Sequence, residues 1–176
     1  MTNLQIMMNH LNNTVISSLH EQGFVGKHPH LKREKENCIE LITFQRNKHG
    51  GSFAVEVSAI FPGRKNPNYV LADGVSLDGI NVWHTDERYR LKGMYDGWFY
   101  YRDLYSKYIL GFGKDYLEVA ETVQNVSIPK GYKLVQRFND NTADKICNEI
   151  SKQLTKAFCW LNKFEKNNIL QELNRE

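Results

Sequence analysis

The fold is decided by residues 38–61, which read CIELITFQRNKHGGSFAVEVSAIF. The stretch before the two consecutive glycines is rich in β-branched and aromatic side chains, which strands favour. The glycines supply the positive φ angles that a turn requires. After them, residues 52–61 alternate between an apolar and a polar side, with Ala54 and Ile60 as apolar exceptions on the polar side. We predict a hairpin here, and a short polar strand ahead of it completes a three-stranded antiparallel meander over residues 30–61.

A helix is predicted before the meander, over residues 3–22. Its apolar side chains recur at three- and four-residue steps and so share one face: Leu4, Met7, Leu11, Val15 and Leu19. Thr2 and Gln5 have the spacing of a capping box. Gly23 is placed to end the helix in the left-handed conformation, with Phe24 packing back onto the last turn.

The C-terminal region is also predicted to be helical, over residues 142–174. An apolar stripe runs along it: Ile146, Ile150, Leu154, Ala157, Phe158 and Leu161. Asn141 or Thr142 is the expected N-cap, and a short second helix is expected over residues 166–174.

Between these parts lies a variable, aromatic-rich middle, residues 80–138. It offers strand candidates over residues 80–84, 97–112 and 132–138. We therefore predict a single α+β domain over residues 1–176. A single antiparallel meander sheet of about five to six strands would carry the N- and C-terminal helices packed on one face.

The composition is that of an ordinary globular chain. It has 176 residues, with 23 Lys and Arg against 20 Asp and Glu, for a net charge of +3. This disfavours a strongly cationic nucleic-acid binder and an acidic disordered chain. The longest apolar run, residues 157–161, is far shorter than the roughly 20 residues of a membrane span. The first basic residue is Lys27, so a signal peptide is not expected, and we expect a cytoplasmic protein without membrane contact.

Several motifs resemble one bacterial family. They are Gly23-Phe24, residues 42–48 (ITFQRNK) followed by residues 51–53 (GSF), and residues 157–164 (AFCWLNKF). Together they resemble the bacterial domain-of-unknown-function family 4304, in which a proline usually stands at the place of Cys159. Members resemble small proteins found among polymorphic-toxin and immunity genes. The resemblance implies a partner-binding or immunity role and no defined activity.

No pattern in the sequence demands catalysis, a cofactor or a metal. His28 and His30 would share a strand face but lack a third ligand at a defined spacing. His84 with the acidic residues after it has no accompanying nucleophile motif, although a site assembled from His84, Asp86 and Arg102 stays open. The three cysteines contain no C-x-x-C pair, so buried structural thiols are the simpler interpretation. At the basic turn of the predicted hairpin, Arg46 and Lys48 are candidates for an anion contact.

The strongest anomaly is the aromatic segment, which we define as residues 88–108. It contains eight of the 21 aromatic residues and five cations against two acids. Tyr, Trp and Arg together are typical of protein-interface hot spots. The predicted partner-binding residues are Arg88, Arg90, Tyr95, Trp98, Tyr100, Tyr101 and Arg102. Along a strand, Trp98 and Tyr100 would lie on one face, and Phe99 and Tyr101 would lie on the other. One of these pairs can therefore enter the core.

Two functions follow from the aromatic segment. The first is a non-enzymatic protein-binding module, in its narrowest form an immunity protein that neutralises a cognate bacterial toxin by direct binding. The alternative is a nucleic-acid-binding protein, because aromatic rings can stack on bases while cations hold phosphates. A third interpretation is purely structural: the rings seal one end of the core while the charged groups reach solvent.

Overall fold

The computed structural model describes residues 1–61, 79–85, 87–94, 97–119 and 127–173. It confirms an α+β fold, with one antiparallel sheet of six strands and a second sheet of three. The six strands of the first sheet are β1 (Val25–Lys27), β2 (His30–Glu34), β3 (Ile39–Arg46), β4 (Ser52–Ile60), β5 (Tyr89–Arg90) and β6 (Phe99–Tyr100). Strands β1 to β5 are neighbours in chain order, and β6 pairs with β4 beside β5. The predicted meander is therefore the centre of the sheet.

The strands of the second sheet come from the part of the aromatic-rich middle that lies beyond β6. Its strands are β7 (Leu104–Ile109), β8 (Gly113–Glu118) and β9 (Lys133–Gln136). Strand β7 is central, with β8 and β9 antiparallel on either side. The predicted single sheet is thus accompanied by a second one. The chain pairs with β4 through β6, and β7 then pairs with β8 and β9 instead.

The helical regions flank the meander in sequence and meet in space. The N-terminal one is α1 (Asn3–His10), a π-helical turn (Leu11–Ile16) and α2 (Ser17–Glu21). The predicted Thr2–Gln5 capping box is present, and Gly23 has φ +88° after the last turn. The C-terminal one is a single helix, α3 (Asp140–Leu173), rather than two, because no glycine or proline interrupts it. Asn139 caps it: its Oδ1 accepts from the Thr142 N–H at 3.0 Å, so the N-cap lies earlier than predicted.

A histidine joins the first helix to the last. His10 Nδ1 lies 2.7 Å from Asp144 Oδ1, and its Nε2 lies 3.1 Å from Asp140 Oδ1. The hydrogen bond with Asp140, followed by the one with Asp144, raises the pKa of His10 against the opposing effect of burial. The protonated ring donates to both carboxylates, which the neutral ring cannot do.

The main core lies between the helices and one face of the six-stranded sheet. It includes Met7, Leu11, Phe44, Val57 and Ile150, all buried. Within this face Glu40 is also buried, and Arg33 Nε and Nη2 reach its Oε2 at 2.7 and 2.5 Å. Lys35 Nζ contacts the other carboxylate oxygen at 2.7 Å. A carboxylate buried in this way is tolerated because two cations compensate it.

The opposite face of the sheet is buried as well. Ile39 and Leu41 pack there against Ile80 and Val82 in a second, smaller apolar cluster. Residues 80–84, which were expected to form a strand, instead contain a 3₁₀ turn (Val82–His84) that covers this face. Ile60, one of the two apolar exceptions on the polar side of β4, packs against this cluster.

Candidate partner-binding surface

One pair of rings from the aromatic segment enters the main core. Phe99 and Tyr101 both stack on Phe53 of β4, with ring centroids 5.7 and 6.3 Å away. The Gly51 N–H donates to the Tyr101 hydroxyl at 3.0 Å, which satisfies that buried group. Tyr101, assigned from sequence to partner contact, is 3% exposed, so a partner that meets the outer surface does not touch its ring.

Trp98 and Tyr100 have different surroundings. Tyr100 is 6% exposed and lines a cleft described below. Trp98 is half-buried beneath Arg90, whose guanidinium carbon lies 5.0 Å from the ring centroid. The predicted contact at Tyr95 lies outside the described residues.

Two arginines of the predicted site face an acid on the neighbouring strand. Glu56 stands directly opposite Arg90 in the pairing of β4 with β5. Its Oε1 lies 3.4 Å from Arg90 Nη1, and its Oε2 lies 3.6 Å from Arg88 Nη1. Glu56 is buried, so it offsets part of the positive charge of this strand.

Arg102 connects the β3–β4 turn to the second sheet. Its Nη1 lies 3.6 Å from Glu118 Oε2 on β8, and its Nη2 donates to the His49 carbonyl at 3.3 Å. The side chain crosses Gly51 so closely that a Cβ there would come within 1.9 Å of Nε. Arg102 therefore acts as a strut between the two sheets.

The two predicted anion contacts lie beside this turn. Arg46 and Lys48 are both exposed. Burial holds the pKa of His28 below its ordinary value, and the charge of Arg46 adds to this effect. Arg46 therefore lies near an imidazole that is disposed to remain neutral.

A cleft opens where the aromatic segment meets α3 and β9. Its volume is about 580 Å³. Apolar side chains from three elements line it, together with three cations and one acid: Met94, Phe99, Tyr100, Val135, Ile146, Lys92, Arg137, Lys145 and Glu149. The aromatic segment could be identified from the sequence but the cleft could not, because its opposite walls come from residues about 40 positions later in the chain.

Side chains hold two walls of the cleft in place. Gln153 of α3 accepts from the Lys92 N–H at 2.6 Å and donates to the Lys92 carbonyl at 2.8 Å. Gln136 of β9 donates to the carbonyls of Tyr100 and Arg102 at 2.7 and 2.9 Å. These hydrogen bonds tie two walls of the cleft to the rest of the fold.

The second sheet carries most of the exposed apolar surface. Five of the nine large hydrophobic side chains exposed in the described residues belong to it: Tyr108, Leu110, Phe112, Leu134 and Val135. Leu110 and Phe112 are 87% and 89% exposed, and with Gly111 between them they form the loop of the β7–β8 hairpin. Gly111 has φ +85° at the third position of the turn in which the Phe112 N–H donates to the Ile109 carbonyl at 3.0 Å. Glycine is favoured where this position of a turn takes a positive φ. We call this loop the hairpin tip.

The predictions made from the sequence assign no role to the two apolar residues of the hairpin tip. Their residue type is nevertheless a signal that the sequence contains. Turn positions favour polar residues, and two large apolar side chains around one glycine depart from that preference.

Within the described ranges, no cluster of three or more His, Cys, Asp or Glu side chains is arranged to hold a metal ion. In the same ranges, no helix combines the length and the apolar character needed to cross a membrane.

A family model described as a domain of unknown function, DUF4304, matches residues 15–163. No curated protein and no solved structure matches the chain.

Proposed function

Because the chain belongs to the DUF4304 family, whose description assigns no activity, we propose from its surface that it is a non-enzymatic protein-binding module. The observation that carries this proposal is the hairpin tip, where Leu110 and Phe112 extend almost fully into water. Burying each of these side chains in a partner would contribute about 1.5–3 kcal/mol. Paired apolar anchors on a projecting loop are well suited to insertion into a partner's pocket.

The ion pairs of the aromatic segment support a protein partner over a nucleic acid. Arg88 and Arg90 face Glu56, and Arg102 faces Glu118. Three of the five cations counted in this segment thus lie close to an acid of the same chain. A surface that binds phosphates by charge needs cations that are free to replace counterions.

In its narrowest form, the proposal is an immunity role in the bacterial cytoplasm, with a cognate toxin as the partner. The net charge of +3 directs this form away from cationic nucleases, whose inhibitors use acidic surfaces for electrostatic steering. The toxin would instead present an apolar pocket for the hairpin tip.

The test is quantitative capture of a partner from the native host, with the full chain as bait. The double variant Leu110→Ser/Phe112→Ser removes both anchors, and Val25→Ser removes one exposed apolar side chain from the distant β1 edge. A partner identified with the unmodified chain should bind the double variant at least about tenfold more weakly and Val25→Ser equally well. Equal binding by all three proteins, or the absence of any partner, would refute the proposal.

One observation favours the nucleic-acid alternative, at a different place from the one expected. On the second sheet, Tyr108 stands opposite Lys114, and Ser106 stands opposite both Tyr116 and Lys133. Opposed and alternate residues share a face, so two tyrosines and two lysines lie on one side of this sheet. Aromatic and cationic side chains on a sheet can bind single strands by stacking and charge.

Salt dependence separates the two functions. Binding of a single-stranded oligonucleotide by this face should weaken steeply with added salt and should be lost in Lys114→Ala/Lys133→Ala. Absence of binding at low salt would exclude the alternative. The affinity for a protein partner that is held by apolar anchors should depend only weakly on salt.

A further inference from the structure

The cleft between the aromatic segment, β9 and α3 has the dimensions of a small-molecule site. Its volume of about 580 Å³ lies within the range of about 300–1,000 Å³ that is typical of ligand pockets. Phe99 and Ile146, both buried, contribute to its apolar lining, and Val135 and Met94 extend that lining to the surface. An apolar body of several carbon atoms would be desolvated there.

The charges around the cleft are unequal. Lys92, Arg137 and Lys145 are exposed cations that line it, and Glu149 is the only acid in the lining. The Glu149 Oε1 already accepts from the Gln153 amide at 2.8 Å. The two acids at the start of α3 contact His10. The described lining therefore carries an excess of two positive charges.

We propose that this cleft binds a small amphipathic organic anion, with an apolar or aromatic body and a single carboxylate. The body would lie on Phe99 and Ile146, and the carboxylate would meet Lys145 and Arg137. Arginine and lysine both bind carboxylates through charge-assisted hydrogen bonds. This site is independent of the hairpin tip and of the partner proposed for it.

The rigidity of the walls supports a site that is ready for a ligand. The Gln153 amide bridges α3 to the backbone of Lys92 through two hydrogen bonds. The Thr142 hydroxyl donates to the Arg137 carbonyl at 2.7 Å and so holds the end of β9 against the first turn of α3. A cleft that is already ordered loses little conformational entropy when a ligand enters.

The test uses three probes with one apolar body and different head groups: 4-phenylbutyrate, 4-phenylbutanol and 4-phenylbutylamine. Each is titrated into the full ¹⁵N-labelled chain while the amide shifts are followed. The carboxylate should bind with a Kd of about 1 mM or tighter, the alcohol about tenfold more weakly, and the amine more weakly still. The shifts should map to residues that line the cleft. Equal affinity for the three probes, no binding of the carboxylate, or shifts elsewhere would overturn the proposal.

Variants then locate the carboxylate. Lys145→Ala and Arg137→Ala should each weaken 4-phenylbutyrate about five- to tenfold, and Lys145→Glu should favour the amine over the carboxylate. Lys163→Ala is the matched control, because Lys163 is exposed on the same helix and lies about 27 Å along its axis from Lys145. An unchanged affinity in both Lys145→Ala and Arg137→Ala would refute the assignment.

The hairpin-tip double variant separates this inference from the proposed function. It should bind 4-phenylbutyrate with unchanged affinity, because the cleft lining does not include Leu110 or Phe112. Loss of probe binding in that variant would show that the anion does not occupy the cleft.

Discussion

Replacing Glu40 by alanine should destabilise the protein strongly. Glu40 is 1% exposed, and its two oxygens contact Arg33 at 2.5 and 2.7 Å and Lys35 at 2.7 Å. Those cations are themselves mostly buried, with side chains 21% and 28% exposed. Removing the carboxylate takes the close acid away from both cations and leaves Lys35 with the longer contact to Glu165 at 3.8 Å. Breaking a buried ion pair in this way costs about 3–5 kcal/mol. Urea unfolding of the full chain, analysed for both midpoint and slope, measures the loss.

The neighbouring strand offers a matched control. Glu34 contacts Lys32 at 3.7 Å, but its side chain is 68% exposed, so Glu34→Ala should cost less than about 1 kcal/mol. The variant Arg33→Ala and its combination with Glu40→Ala complete a double-mutant cycle, which should give a coupling energy of about 1–3 kcal/mol. If Glu40→Ala costs no more than Glu34→Ala, the reasoning that assigns stability to this buried pair is wrong.

Three further predictions concern pH, thiol reactivity and backbone geometry. Hydrogen bonds to the carboxylates of α3 raise the pKa of His10. Its contribution to the free energy of unfolding is therefore complete below the ordinary pKa of 6.5 and is lost as the pH rises through the raised pKa. In urea unfolding, the stability difference between the wild type and His10→Asn should shrink from about 0.5–1 kcal/mol at acid pH toward zero at alkaline pH. A difference that grows with pH would contradict this. In the native state Cys159 is exposed and should react first with a disulfide reagent, whereas burial raises the pKa of Cys38 to about 11 and should delay its labelling until the chain unfolds; equal labelling rates would count against it. Gly51→Ala places a Cβ 1.9 Å from Nε of Arg102 at a backbone φ of +75°. It should cost more stability in thermal unfolding than Gly111→Ala, whose Cβ meets open space at φ +85° and which should cost about 1–2 kcal/mol. Equal costs would show that Arg102 moves aside without loss of stability.

The centre of the fold could be predicted from sequence because its signals are local. The alternation of residues 52–61 and the two glycines before them define a hairpin whatever surrounds it. The capping box at Thr2 and the left-handed Gly23 likewise depend on neighbours within a few positions. These predictions are confirmed because secondary-structure period and turn chemistry agree at each place.

The candidate surface could be predicted only in part, because its side chains have distant partners. The clustering of aromatic residues and cations located a segment that does line the cleft. It did not show that Glu56 would face Arg88 and Arg90, since that contact depends on the register of β4 with β5. Alternation alone also could not decide which aromatic rings would be buried. The chain passes from the first sheet to the second after β6, and the elements that pack on each face of the strand change there.

The contact between α1 and α3 has a consequence for the order in which the chain acquires its structure. His10 and Asp144 meet across 134 positions, and the helix face of the sheet is covered only when both helices are in place. Contacts of such long range are formed late and slowly, because a large loop must close first. During synthesis, the apolar face of β3 and β4 therefore remains incompletely covered until α3 has left the ribosome. This is the interval in which a nascent chain is most exposed to aggregation and to chaperones.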